Sequence, residues 1–148
     1  MISGDISVST SELADSRAQE LIALVDRFSA QFPSHTGSLP IPGKETILVT
    51  GTTGSLGINV LKTLISLDSV QRIYAYNRGG SFGETSRDRH AKAARLQGIP
   101  LSVVDSPKIV YVEGDVSVEN LGLPDNIIDE VKKTVTSILH LGRSAIGI

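Results

Sequence analysis

Thr46-Ile47-Leu48-Val49-Thr50-Gly51-Thr52-Thr53-Gly54-Ser55-Leu56-Gly57 is a short apolar run that breaks into three glycines spaced three residues apart and then into a helical pattern. Such a stretch predicts a strand, a tight turn and a helix. A turn this sharp places the first backbone N–H groups of the helix just beyond the carboxyl end of the strand. There, orphan donors and the positive end of the helix dipole favour an anion. Each glycine has its own steric duty in this reading. Gly51 lets the chain leave the strand, Gly54 lets the backbone approach a pyrophosphate with no Cβ in the way, and Gly57 lets the helix pack closely. A nucleotide-triphosphate loop would need Lys and then Ser or Thr after its last glycine, whereas Ile58 and Asn59 follow here. A glycine-rich turn without a ligand is the alternative that the glycines alone leave open.

From Thr46 onward the pattern alternates between strand and helix, the mark of a parallel sheet with crossover helices. A helix after the turn carries Leu56, Val60, Leu61, Leu64 and Leu67. A second strand, Arg72 to Tyr76, leads into Asn77-Arg78-Gly79-Gly80. A charge-rich helix over 84–97 has Ala91, Ala94 and Leu96 as apolar support. A third strand, Lys108 to Glu113, runs into Gly114-Asp115, and Pro124-Asp125 opens a helix with Ile127, Ile128, Val131 and Val135 facing inward. A fourth strand follows from Ser137 to Leu141. The fold expected is α/β, a Rossmann-like, doubly wound parallel sheet that is incomplete and preceded by an amphipathic helix.

That preceding helix is expected over 9–32. Ser9 and Glu12 fit a capping box, and Ala14, Ala18, Leu21, Ile22, Val25, Phe28 and Phe32 fall on one stripe. Residues 33–43 hold three prolines and two glycines and read as an extended connector. Two regions follow from this: a helix with a Pro-rich linker over 1–43, and the sheet domain over 44–148.

A chain of 148 residues can bury about two-thirds of its unfolded surface in a single core. Its formal net charge of −2 gives no electrostatic case for nucleic acid or an anionic membrane. It contains no cysteine, so neither a disulfide framework nor a thiolate metal site is available. His35, His90 and His140 lie too far apart in sequence to suggest a metal site, and no metal ligand is assigned. No basic region precedes an apolar core at the N-terminus, and no apolar run approaches the ~20 residues of a membrane span. The expected location is cytoplasmic.

In doubly wound sheets ligands sit beyond the carboxyl ends of the strands, so the residues that follow each strand carry the chemistry. A domain that prefers NAD places Asp or Glu after strand two to hold the ribose 2′-hydroxyl. This chain has Asn77 and Arg78, 27 residues after Gly51. An arginine pairs with a 2′-phosphate that a carboxylate would repel, and so points to NADP(H). A solvated loop cation is the alternative for Arg78. Asp115, followed by Val116, could accept from an adenine amino group while the neighbouring backbone fixes the ring; an ordinary turn aspartate is the alternative there.

Taken together, Thr50-Gly51-Thr52-Thr53-Gly54-Ser55-Leu56-Gly57, Tyr76-Asn77-Arg78, Gly114-Asp115-Val116-Ser117 and Leu121-Gly122-Leu123 resemble the thioester reductase-like, or male-sterility-type, NAD(P)-binding domain. This family belongs to the extended short-chain dehydrogenases. It forms the terminal reductase of fungal adenylate-forming reductases, carboxylic acid reductases and some non-ribosomal peptide synthetases. The resemblance covers about 33 to 140. It implies that Gly51, Thr53, Gly54, Ser55, Leu56 and Gly57 hold the pyrophosphate, that Arg78 and Arg89 hold the 2′-phosphate, and that Asp115 with Val116 holds the adenine. It also implies hydride transfer from NADPH to a carrier-protein-bound acyl thioester.

The sequence departs from that family in one respect. Each tyrosine is followed four residues later by something other than lysine: Arg78 after Tyr74, Gly80 after Tyr76, and Asp115 after Tyr111. A hydride acceptor needs an acid for the developing alkoxide, in this family the tyrosine of Tyr-x-x-x-Lys. No catalytic residue is assigned here, and the match is read as ending at His140, which leads to the expectation of a truncated copy. A non-catalytic nucleotide-binding or vestigial module is the alternative function. Alone, this polypeptide is expected not to turn over. With panels of acyl thioesters and aldehydes, NADPH absorbance should fall only at the blank rate, and clear turnover above the blank would overturn the expectation.

Overall fold

Ile47 and Val49 point to one side of an extended segment and Leu48 to the other, and all three are buried. A strand apolar on both faces must be covered on both, which is the condition for a central parallel strand. The computed structural model describes residues 10–30, 43–80 and 83–142. The chain divides into two compact units, Met1–Ser38 and Leu39–Ile148. In the first, α1 runs over Thr10–Ser29. Ser9 of the expected capping box, and all of the Pro-rich connector except Gly43, lie outside the described residues. No described helix is long and apolar enough to cross a membrane.

The second unit runs β1 (Glu45–Thr50), α2 (Ser55–Ser66), β2 (Val70–Arg78), α3 (Ser86–Leu96), β3 (Ile109–Gly114), α4 (Asp125–Thr134) and β4 (Ser137–His140). Short 3-10 turns lie at Leu101–Val103 and Glu119–Gly122. The four strands form one sheet in the order β3-β2-β1-β4, and every neighbouring pair is parallel. From β1 the chain winds outward through β2 to β3, then returns past β1 to place β4 on its other side. Parallel crossovers are right-handed, so reversing the direction of travel moves the connecting helix to the opposite face. Accordingly α2 and α3 cover one face, with Ile58, Leu61, Leu64, Ala93 and Ala94 against Ile47, Val49 and Ile73. On the other face α4 places Ile128 and Val131 against Leu48, Tyr74 and Tyr76.

Register brings the carboxyl ends of the strands together. Thr50 pairs with Tyr76 on one side and His140 on the other, and Arg78 pairs with Gly114. Lys108 Nζ donates to the carbonyls of Ile65 and Leu67 at 3.0 and 2.7 Å, so it satisfies the C-terminal end of α2 with a cation.

Three details differ from the sequence reading. Leu56 is 65% exposed, while Ile58 is fully buried. Because Gly54 is the N-cap, the buried positions of α2 fall at Gly57, Ile58, Leu61 and Leu64, and Leu56 turns outward. Leu96, offered as apolar support for α3, is 77% exposed, and His90 is buried in its place. β2 is longer than expected and includes Asn77 and Arg78 as its last residues.

This phase of α2 can be tested by comparing neighbours. Ile58→Ala should destabilise the domain by about 2–5 kcal/mol and Leu56→Ala by no more than about 0.5 kcal/mol, read from urea unfolding midpoints. A larger cost at Leu56 than at Ile58 would put the helix in the other phase.

Candidate functional site

The turn after β1 is built by backbone contacts that leave no room for side chains. Gly51 has φ +72°, and a Cβ there would come within 2.6 Å of the Gly142 backbone, which follows β4. A Cβ on Gly57 would lie 2.5 Å from Thr52 Cα and would clash with the carbonyl oxygen of Gly51. The third glycine therefore seats α2 on the turn itself. Gly54 differs from both. Its φ of −82° is open to any residue, and a Cβ there would meet only the Gly51 carbonyl, at 3.5 Å. The protein's own packing does not require glycine at that position. As N-cap, Gly54 offers no side chain to the first N–H groups of α2, those of Ser55, Leu56 and Gly57. Thr53 is half-buried, and Ser55 and Leu56 are exposed.

Arg78 closes β2 and is exposed, and its side chain makes no hydrogen bond or ion pair to another described residue. Asp115 and Val116 follow β3 and are exposed as well. Asp115 Oδ1 accepts from the backbone N–H and the hydroxyl of Ser117, at 2.9 and 2.7 Å. These bonds first, and the nearby Arg78 charge after them, hold its carboxyl below the usual range. One oxygen of Asp115 thus serves the turn, and Oδ2 makes no hydrogen bond to a described residue. The loop is pinned by Tyr76, whose hydroxyl donates to the Leu121 carbonyl at 2.7 Å, and by the Asp115 N–H, which donates to the same carbonyl at 3.0 Å. Arg89 lies apart from Arg78 in one respect: its Nη2 is ion-paired to Glu113 Oε1 at 2.7 Å.

Beneath these groups runs a buried polar chain that the sequence reading did not single out. His90 Nδ1 lies 2.6 Å from the Ser86 carbonyl. A carbonyl only accepts, so Nδ1 carries the proton and Nε2 accepts. Thr52 donates its hydroxyl to that Nε2 at 2.7 Å, and Asn77 Nδ2 donates to the Thr52 oxygen at 2.6 Å. Thr52 and His90 are fully buried and Asn77 nearly so. Each member adjoins a candidate ligand residue: Thr52 lies in the glycine turn, Asn77 precedes Arg78, and His90 follows Arg89. The chain locks the turn, the end of β2 and the start of α3 into one frame. Burial lowers the pKa of His90, and the Arg89 charge adds to this against the pull of the Ser86 carbonyl.

A family model described as "Male sterility protein" matches residues 49–145. The match runs past His140, where the sequence reading ended it. The adenylate-forming reductase Nps10 of Heterobasidion annosum is 44% identical over 124 residues, which is 84% of this chain and 11% of that protein. The non-reducing polyketide synthase tazA of Aspergillus terreus is 32% identical over 142 residues, which is 91% of this chain and 5% of that protein. Among solved structures, the terminal R domain of the myxalamid PKS-NRPS pathway superposes with a TM-score of 0.56 at 30% identity, covering 74% of this chain and 26% of that one. The reductase domain of PhqB from Penicillium fellutanum shares the fold, with a TM-score of 0.62 at 24% identity, covering 86% and 33%. The chain thus spans about a tenth of the first of these relatives and a quarter to a third of the two solved domains.

The buried chain makes two testable demands. Thr52→Val keeps the shape but leaves the Asn77 amide and His90 Nε2 unpaired, and should cost about 1–3 kcal/mol in urea unfolding. His90 has a folded pKa below its ordinary 6.5, so the folded state resists its protonation. Its contribution is therefore complete above about pH 6.5 and is lost as pH falls through the lower folded value. The stability difference between wild type and His90→Gln should shrink between about pH 7.5 and pH 5. A difference that does not change with pH would mean that the fold does not lower the pKa of His90.

Proposed function

The chain belongs to the male sterility protein family, and from that membership we propose that residues 44–148 are the NADP(H)-binding portion of a reductase acting on carrier-protein-bound acyl thioesters, with 1–43 as a preceding helix and linker. The observation that carries the choice of cofactor is Arg78, an exposed guanidinium at the carboxyl end of β2 with no hydrogen bond or ion pair to a described residue. An arginine so placed offers a fork of donors to a 2′-phosphate and gives a bare ribose hydroxyl much less to bind.

The remaining residues suit a dinucleotide. The N–H groups of Ser55, Leu56 and Gly57 would hold the pyrophosphate, with Gly51 and Thr53 shaping the turn. The space beside Gly54 that a Cβ would fill fits a phosphate in close approach, since nothing in the protein requires glycine there. Asp115 Oδ2 remains to accept from an adenine amino group, with Val116 beside it. When bound, NADPH supplies a hydride for reduction of the acyl carbon. This chain's own residues bind and orient, and none is assigned the acid that a hydride acceptor needs. The lack of Tyr-x-x-x-Lys in these 148 residues favours a second reading for the isolated chain, that it binds nucleotide without turnover.

The cofactor reading is tested by binding alone. Wild type should prefer NADP+ to NAD+ by about 10- to 150-fold, since a charge-assisted contact contributes roughly 1.5 to 3 kcal/mol. Arg78→Ala should remove most of that preference and leave NAD+ affinity nearly unchanged, as read by calorimetric titration. Equal wild-type affinity for the two dinucleotides would overturn the role of Arg78.

A further inference from the structure

Arg89 is the less exposed of the two candidate phosphate arginines, and it already has a partner. Its side chain is 18% exposed, Nη2 donates to Glu113 Oε1 at 2.7 Å, and Nε is buried without a hydrogen-bond partner. Glu113 lies on β3 opposite Asn77, one residue before the Gly114 that pairs with Arg78. The ion pair sits under the backbone that leaves β2. A Cβ on Gly79 would lie 3.9 Å from Glu113 Oε2, and one on Gly80 would lie 3.5 Å from Arg89 Nε. Glu113 also lines a cavity of about 540 Å³ together with Gly80, Thr85, Ser86 and Tyr111. Ser86 Oγ in that lining is buried and has no hydrogen-bond partner.

We propose that Glu113 is a specificity-determining residue, which competes with the 2′-phosphate for the Arg89 guanidinium and so sets how strongly NADP(H) is preferred over NAD(H). The proposal rests on the cofactor reading above. A guanidinium presents five N–H donors, of which one is committed to Glu113. A phosphate can be met by the remaining N–H donors with the ion pair kept, or by a two-pronged contact that includes Nη2 with the pair broken. In the first case the carboxylate charge stays beside the incoming anion, and in the second an existing ion pair is lost. Both weaken NADP(H) binding, and neither acts on NAD(H), which brings no charge to this position.

Glu113→Gln separates charge from shape, because the amide oxygen can still accept from Arg89. Calorimetric titration of NADP+ and NAD+ against wild type and variant should show NADP+ binding about two- to fivefold tighter in the variant and NAD+ unchanged. Thermal unfolding provides the control: an ion pair that serves only the fold would lower the variant's midpoint without moving the NADP+/NAD+ ratio. If wild type prefers NADP+ and the ratio in the variant is unchanged or lower, the role of Glu113 is overturned and the cofactor reading stands. If wild type binds both dinucleotides equally, or neither, the cofactor reading falls and takes this proposal with it. Glu113→Ser is read in the same way should the amide variant not fold.

Discussion

The contact between Gly57 and the backbone of Gly51 and Thr52 is the constraint from which the rest of the site follows. With Thr52 Cα only 2.5 Å from where a Cβ on Gly57 would stand, no other residue lets α2 sit so low on the turn. That seating buries Thr52 completely and sets the phase of α2, so that Ile58 and Leu61 enter the core and the first N–H groups stay open. A side chain at 57 would lift the helix and the turn together, and both the core face and the anion-binding end would change.

Thr52 passes that constraint on. Its hydroxyl joins Asn77 to His90, and it needs both partners, since a buried hydroxyl without them costs free energy. The end of β2 and the first turns of α3 are thereby fixed relative to the glycine turn, although 38 residues separate Thr52 from His90. The reversal of strand order does the same on the other flank. Thr50 Oγ1 lies 2.8 Å from His140 Nδ1 and accepts from the Gly142 N–H at 3.0 Å, so the chain leaving β4 closes against Gly51. The candidate residues thus stand at the carboxyl ends of the strands, on the side where doubly wound folds bind their ligands.

How much of this could be read from the sequence depends on whether a signal was local. The glycine turn, the four strands and the residues at their carboxyl ends follow from spacing, because periodicity and turn chemistry act over a few residues. The phase of α2 is less legible, because it is set by the seating of Gly57 on the turn, and Leu56 and Ile58 are equally apolar in sequence. His90 sits among Arg87, Arg89 and Lys92 and reads as part of a solvated face. Its burial depends on Thr52 and Tyr111, whose ring centroid is 4.6 Å away, and neither is near in sequence. Likewise nothing local ties Glu113 to Arg89, 24 residues earlier; the packing of α3 against β3 brings them together. The left-handed Leu121, at φ 60°, carried no sequence signal either, whereas Asn120 before it, at φ 54°, is of a type enriched in that region.

The two arginines at the end of β2 and on α3 differ in a way that burial explains. Arg78 is exposed, and water compensates its charge, so it needs no counter-ion in the protein. Arg89 is largely withdrawn from water by the loop at Gly79 and Gly80, and a guanidinium in that position without a carboxylate would weaken the fold. In the role proposed for Arg89, a partly buried cation that receives an incoming anion calls for a second anion to hold it when that ligand is absent. The same carboxylate then opposes the ligand when it arrives. Glu113 meets both conditions from an exposed position at the rim, where its charge is partly screened and the opposition is modest. Stability before binding and affinity on binding thus trade against each other through one hydrogen bond.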